Sequence, residues 1–217
     1  MPTGTIFGVF GHDDSCDVND PDACLIETIR SGSNLVASGY CLYGSSTFLM
    51  FTMGNGAYGF TLDENVGEFI LSHPDIKIPE RSSTYSFNEA RERMWEDPVR
   101  DVVAKWRAGT GKSARIFSSR YVGSMVGDVH RTLLNGGIFG YPADDMYPEG
   151  KLRLLYEGAP MSFLMEQAGG MSTTGRERVM DVQPSYVHQR VPIMMGSAED
   201  VREIIEACKE WDEGIGL

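Results

Sequence analysis

"ARIFSSRYVGSMVGDVHRTLLNGGIFGYP" (residues 114–142) decides the fold, because its hydrophobic period changes twice. Residues 114–122 read as a strand. Met125, Val129 and Leu133 then recur every four residues and give one apolar stripe of a helix over 125–134. Gly123 permits a tight turn before this helix and Ser124 is a candidate cap. Asp128 in the first turn and Arg131 further along both suit the helix dipole. Asn135-Gly136-Gly137 tolerates the left-handed conformation that stops a helix, and "GGIFGYP" (136–142) reads as the next strand. The turn before the helix is either an ordinary strand-to-helix junction or a cradle of N–H groups for an anion, and the residues leave both readings open. His130 sits mid-helix with no nucleophile beside it and reads as structural.

The alternation continues on both sides. "GKLRLLYE" (150–157) is a strand, and a helix over 160–168 follows, with Pro160 in its first turn and Gly169-Gly170 at its end. "VPIMMG" (191–196) is a strand, and a helix over 198–211 opens on a capping box, Ser197 to Asp200. Upstream, "RSSTYSFNEARERMWEDPVRDVVAKWRAG" (81–109) reads as loop then helix, with Asn88 as its cap and Asp97-Pro98 as a break or restart. Strands alternating with helices imply an α/β domain, a sheet covered by helices, over 81–217. Residues 1–80 form a strand-rich piece. "GTIFGVF" (4–10) is a strand. "SNLVASGYCLYG" (33–44) reads as a helix with Leu35, Val36, Cys41 and Leu42 near one face. Three runs with short turns, 46–54, 57–64 and 67–79, predict a meander.

A net charge of −12 argues against a nucleic-acid surface, which needs basic neutralisation, but leaves room for a small phosphorylated ligand. No run approaches a membrane span, and Met1-Pro2-Thr3-Gly4 has no basic n-region. The first strand begins so soon after Met1 that the chain is expected to be part of a longer protein, with open strand edges and an exposed apolar face. Of the four cysteines, none forms a zinc-type pair, and reduced thiols are expected. Cys41 and Cys208 are expected on apolar helix faces. Cys16 and Cys24 lie in a polar loop, "GHDDSCDVNDPDAC" (11–24), where a reversible disulfide could close.

Glu157 is the charge out of place. It lies between an apolar strand and a helix start, where ligands bind in open α/β sheets. Its carboxylate suits Mg²⁺, a cap or a salt bridge equally well. Tyr121, Tyr141 and Tyr156 gather on the same elements, either as core residues or as donors to a phosphate or sugar oxygen.

"YSFNE" (85–89), "ARIFSSRYVGSMVGDVHRTL" (114–133), "GGIFGYP", "GKLRLLYEGAPMSFLMEQAGGMSTTG" (150–175) and "VHQRVPIMMGS" (187–197), in this order, resemble the C-terminal two-thirds of the fructose-1,6-bisphosphatase family. The likeness runs from Gly4 to about Val201. It implies a layered sugar-phosphatase fold, a C-terminal αβα domain plus part of an N-terminal antiparallel sheet. It also implies hydrolysis of the 1-phosphate of fructose 1,6-bisphosphate, with two or more Mg²⁺ ions in the full-length enzyme. By the same resemblance Glu157 is a metal ligand. Asn88, Tyr121, Tyr141 and Lys151 grip the 6-phosphate, Arg120 reaches that phosphate from a neighbouring subunit, and Ser124 and Met125 line the sugar. A homo-oligomer follows from the role of Arg120.

The departures matter as much. The family's Asp-Pro-Leu-Asp-Gly-Ser-Ser stretch and its upstream glutamates, which supply most metal ligands, are not in this sequence. The chain alone is therefore expected to be inactive or nearly so. Arg91 stands where many relatives have a ligand-contacting tyrosine. "GYCLYGSS" and "YEGAPMSF" lean toward plastid-type members. Cys16 and Cys24 fall where those members carry a redox disulfide, which would make thioredoxin a partner. Cytoplasm and plastid stroma are both expected compartments. The alternatives are a non-catalytic sugar-phosphate-binding or oligomerising module, and sedoheptulose-1,7-bisphosphatase.

Overall fold

The structure is a computed structural model that describes residues 2–11 and 29–214. Cys16 and Cys24, and with them the proposed disulfide, lie outside the described residues. The chain opens with a five-stranded antiparallel meander in sequence order: β1 (Thr3–Phe10), β2 (Leu35–Tyr43), β3 (Phe48–Thr52), β4 (Tyr58–Asp63) and β5 (Glu68–His73). A second sheet follows, in the order β10–β12–β8–β6–β7, built from β6 (Thr84–Ser86), β7 (Ser118–Ser119), β8 (Ile138–Tyr141), β10 (Met171–Thr173) and β12 (Ile193–Gly196). Its β6–β7 and β6–β8 pairs are parallel, and the pairs through β12 are antiparallel. A two-stranded ribbon joins β9 (Leu152–Arg153) to β11 (Arg190–Val191). The helices are α1 (Asp97–Ala108), α2 (Met125–Asn135), α3 (Ala159–Gln167) and α4 (Ala198–Asp212).

The layers run meander, α2 with α3, mixed sheet, α1 with α4. The first core joins Tyr40 and Met50 of the meander to Val129, Leu133, Leu164 and Met165 of α2 and α3, and to Ile193 and Met195 of the mixed sheet. Two hydrogen bonds pin this contact: Ser38 Oγ, buried, donates to the Pro160 carbonyl at 2.8 Å, and the Tyr40 hydroxyl meets the partly buried His130 Nδ1 at 2.9 Å. The second core lies beneath α1 and α4, where Trp106 stacks on Phe117 with centroids 5.0 Å apart. This is the expected αβα domain with an antiparallel sheet against it. The meander leaves Val9, Val36, Tyr43, Phe69, Ile70 and Leu71 exposed.

Several local expectations fail. Residues 35–43 are strand β2, not a helix, so Cys41 sits half-buried on a strand. The decisive feature is Gly39: a Cβ there would lie 2.2 Å from the Met50 carbonyl oxygen and 2.8 Å from the Phe7 ring. Neighbouring strands press on both sides of β2, and its inward alternation of Ser38 and Tyr40 is a period of two hidden by short side chains. Of 114–122 only Ser118–Ser119 pairs as strand, and Ile116, Tyr121 and Val122 are exposed. The strand at 150–157 stops at Arg153. Asn88 precedes a 3-10 helix, Glu89–Met94, and makes no side-chain cap. The capping box at Ser197 is absent. Ser197 Oγ instead accepts from Gly137 N at 2.9 Å, and Asp200 Oδ2 accepts from Ser82 N at 3.1 Å. Tertiary donors have outcompeted the helix's own N–H groups. The helices read over 125–134, 160–168 and 198–211 are present as Met125–Asn135, Ala159–Gln167 and Ala198–Asp212, and the three runs over 46–79 pair as the meander strands β3, β4 and β5. Cys208 is buried on α4, as expected.

Candidate functional site

The turn before α2 is built around one buried carboxylate. Val122 N donates to Asp128 Oδ1 at 3.0 Å, Gly123 N donates to Oδ2 at 2.9 Å, and Arg131 Nη2 donates to Oδ1 at 2.9 Å. Ser124 makes no side-chain cap. The turn's free N–H groups, open to an external anion on sequence grounds, are thus taken by the chain's own Asp128. The sequence reading had given Asp128 only a dipole role. The turn stays rigid and presents Tyr121 on one side and Met125 on the other.

β8 ends at Tyr141, and the loop 142–150 folds back to deliver Lys151. Asp144, almost fully buried, organises this loop. Its Oδ1 accepts from Met146 N and Tyr147 N, both at 2.9 Å, and from Arg91 Nη2 at 2.8 Å, while Oδ2 accepts from Arg91 Nε at 2.6 Å. Gly150 closes the loop at φ +77°, with Pro192 N 2.2 Å from where a Cβ would stand. The Lys151 ammonium is then held 5.2 Å from the Tyr141 ring centroid and 5.9 Å from that of Tyr147.

Glu157 sits on a π-helical turn, Leu154–Gly158, that runs directly into α3, rather than at a strand end. Such a turn accommodates one extra residue per winding and recurs at functional sites. Glu157 Oε2 accepts from Arg153 N at 2.7 Å and lies 3.7 Å from Arg153 Nη1. Oε1 has no hydrogen-bond partner among the described residues. Tyr156 on the same turn is exposed, and its hydroxyl meets His188 Nδ1 at 3.0 Å.

These elements enclose a cavity of about 220 Å³ lined by Tyr121, Met125, Asp128, Tyr141, Lys151 and Glu157, with Phe139, Leu152 and Arg153 completing its wall. Five sequence-named residues, Tyr121, Met125, Tyr141, Lys151 and Glu157, therefore converge. Asn88, Arg120 and Ser124 lie outside the lining. Ser124 is buried beneath it, and Arg120 is exposed with Nη1 donating to the Ser119 carbonyl. Burial pushes the Tyr121 phenol up from its ordinary value, with Tyr141 and Asp128 adding to the effect. The phenol therefore stays protonated as a donor near neutrality. Sequence reading missed Asp128, Asp144 and Tyr147 as site builders, because their partners are main-chain groups and rings that only folding brings near.

A divalent cation takes about six oxygen ligands. Among the described residues no group of three or more His, Cys, Asp or Glu side chains is placed to hold one. Glu157 Oε1 is left free to accept a further donor or cation, and Asp128 is committed to its turn.

Comparison with known proteins follows the same lines. The family model for the fructose-1-6-bisphosphatase N-terminal domain matches residues 1–74, and that for the C-terminal domain matches residues 78–209. A cytosolic fructose-1,6-bisphosphatase of Oryza coarctata is 54% identical over 202 residues, covering 93% of this chain and 57% of the relative. The chloroplastic fructose-1,6-bisphosphatase 1 of Arabidopsis thaliana is 46% identical over 214 residues, covering 94% and 51%. The crystal structure of Leishmania major fructose-1,6-bisphosphatase in holo form superposes with a TM-score of 0.91 at 42% identity, over 96% of this chain and 63% of that one. The chain thus spans little more than half the length of these curated relatives. Two family models in register, a shared fold and identities far above chance lead to one conclusion: the chain belongs to the fructose-1,6-bisphosphatase family.

Proposed function

We propose that the cavity binds the 6-phosphate and sugar of a phosphorylated ketose, and that the complete enzyme hydrolyses the 1-phosphate of fructose 1,6-bisphosphate. The observation that carries this reading is the convergence of Lys151, Tyr121, Tyr141 and Glu157 on one cavity. Lys151 supplies a charge to a phosphate oxygen, and the Tyr121 and Tyr141 hydroxyls donate beside it. Met125 packs on the sugar ring; the roles that resemblance gives Ser124 beside the sugar and Asn88 at the 6-phosphate fall on residues outside the cavity lining. Held at its far end, the ketose presents its 1-phosphate toward Glu157, and this fixed orientation lowers the entropic part of the barrier. Mg²⁺, two or more ions in the complete enzyme, would be held in part by Glu157 and would polarise the phosphoryl oxygens.

Among the described residues one uncommitted carboxylate lines the cavity, so this chain by itself binds the sugar phosphate with little or no turnover. Arg120, exposed beside Tyr121, is suited to reach the cavity of a second copy in a homo-oligomer. The disulfide between Cys16 and Cys24 and its reduction by a thioredoxin-like partner rest on the sequence alone. Cytosolic and chloroplastic relatives both exist. Among the described residues no helix is long and apolar enough to cross a membrane.

Calorimetric titration of fructose 6-phosphate tests the reading. Wild type binds, and Lys151→Ala loses about 1.5–3 kcal/mol, the worth of a charge-assisted contact. Equal affinity for both proteins overturns the assignment. Phosphate release from fructose 1,6-bisphosphate well above background, with Mg²⁺ and this chain alone, overturns the inactivity.

A further inference from the structure

Arg91 is the one residue at this site whose identity departs from expectation, and its surroundings give it a different task from contacting ligand. Its Nε and Nη2 form a two-pronged pair with the Asp144 carboxylate at 2.6 and 2.8 Å. The same guanidinium lies over the loop's Tyr147 ring, its Cζ 4.9 Å from the centroid. Arg91 is absent from the cavity lining, and its charge is neutralised by the carboxylate. The Arg91 guanidinium, opposed by burial and aided by the two loop N–H groups, holds the Asp144 carboxyl below its ordinary range, so the pair stays ionised through neutral pH.

The chain of contact runs onward. Asp144 gathers Met146 N and Tyr147 N, Gly150 N donates to the Tyr147 carbonyl at 2.9 Å, and Lys151 comes next in sequence. The Lys151 ammonium rests between the rings of Tyr147 and Tyr141. Both the Arg91 guanidinium and the Lys151 ammonium thus lie over the Tyr147 ring, with the loop backbone between them fixed by Asp144. A flexible four-carbon stem has no intrinsic reason to stop at this place, and the rings define where it stops.

We infer that Arg91 is a positioning residue for Lys151: through Asp144 and Tyr147 it sets the 142–150 loop, so that the ammonium is held at the cavity before any ligand arrives. The inference rests on the proposed sugar-phosphate reading for its purpose, though not for its geometry. Removing Arg91 alone would leave the Asp144 charge buried without its partner and could unfold the loop outright. The test therefore uses the paired replacement Arg91→Met with Asp144→Asn, and separately Tyr147→Leu, which keeps the ion pair and removes the ring.

The first readout is the NMR resonance of the Lys151 ε-methylene, assigned by its loss in Lys151→Arg. In wild type it is displaced upfield by the rings from the envelope of the other lysines. In both variants it moves toward that envelope, while the remaining spectrum and thermal midpoint report a folded chain. The second readout is calorimetry with fructose 6-phosphate. Affinity falls roughly three- to tenfold in the paired replacement. Adding Lys151→Ala there costs less than it does in wild type, because the two changes remove one shared contact.

A Lys151 resonance unmoved by either variant, or already in the bulk envelope in wild type, overturns the inference. Fructose 6-phosphate binding that depends on Lys151 but is untouched by the paired replacement overturns it too and leaves the sugar-phosphate reading standing. A resonance that collapses as expected in a chain that never binds fructose 6-phosphate supports the positioning and sinks the reading of the cavity.

Discussion

Single residues set the geometry of the cavity through constraints that no neighbour can relax. Gly150 is the sharpest case. Its φ of +77° and the Pro192 nitrogen 2.2 Å from a Cβ position leave no room for a side chain. Gly150→Ala is expected to lower stability by about 3 kcal/mol through strain and clash together. Urea unfolding reads this directly, and a midpoint unchanged from wild type would show that the loop moves freely. Glu157 illustrates the opposite situation. Its Oε2 is satisfied by Arg153 N, so the carboxylate is oriented without any cation, and only Oε1 is left to offer one. Of the site residues, Lys151, Tyr121 and Tyr141 were legible in sequence only through motif resemblance. Nothing in their local spacing separated a core phenol from a ligand donor.

Among the elements, the turn into α2 shows how a helix start becomes a wall of a site. An unsatisfied helix N-terminus attracts anions, and here Asp128 fills that demand from within. Asp128→Ala leaves Val122 N and Gly123 N without acceptors and Arg131 with the Arg120 carbonyl but no carboxylate partner. The expected cost is roughly 3 kcal/mol, seen in chemical denaturation. The cavity should also lose its hold on fructose 6-phosphate as Tyr121 is freed. Should the variant match wild type in both measurements, the turn is held by something other than this carboxylate. α2 itself was readable because its apolar stripe, Val129 and Leu133 buried and Asn135-Gly136 at its end, follows the helical period. β2 was misread because Leu35, Val36, Cys41 and Leu42 fit a helical face equally well in so short a window. The contest was settled by two neighbouring strands that hydrogen-bond to it.

Across the complete chain, two buried ionisable groups pull stability in opposite directions with pH. His130, under the meander, is held down to about 4 from an ordinary 6.5, chiefly by burial and then by the nearby charge of His73. Its contribution to stability is present above 6.5 and is lost as pH falls toward 4. Asp200, on α4, is raised to about 7 from an ordinary 3.8, by burial against the opposing bond from Ser82 and the charge of Arg81. Its contribution is present below 3.8 and is lost as pH rises through 7. Between pH 4 and 6.5 the two slopes oppose each other, and wild type should show a flattened dependence. Asp200→Asn should expose the His130 slope, with stability rising with pH. His130→Gln should expose the reverse. Denaturation series at pH 4, 5, 6 and 7 decide the matter, and identical slopes for all three proteins would rule out both assignments.

The local order of residues sufficed for β1 and the strands β3 to β5 of the meander, for α2, α3 and α4, and for the presence of a charge at Glu157 where a helix begins, since hydrophobic period and glycine punctuation are properties of neighbours along the chain. The convergence of Tyr121, Tyr141, Lys151 and Glu157 on one cavity, the capture of the α2 turn by Asp128, and the conversion of the 150–157 run into a ribbon followed by a π-turn were settled only in three dimensions. The physical reason is common to all three. Each depends on which buried donor or ring meets which acceptor across the fold, and burial makes leaving such a group unpaired more costly than any local preference can offset.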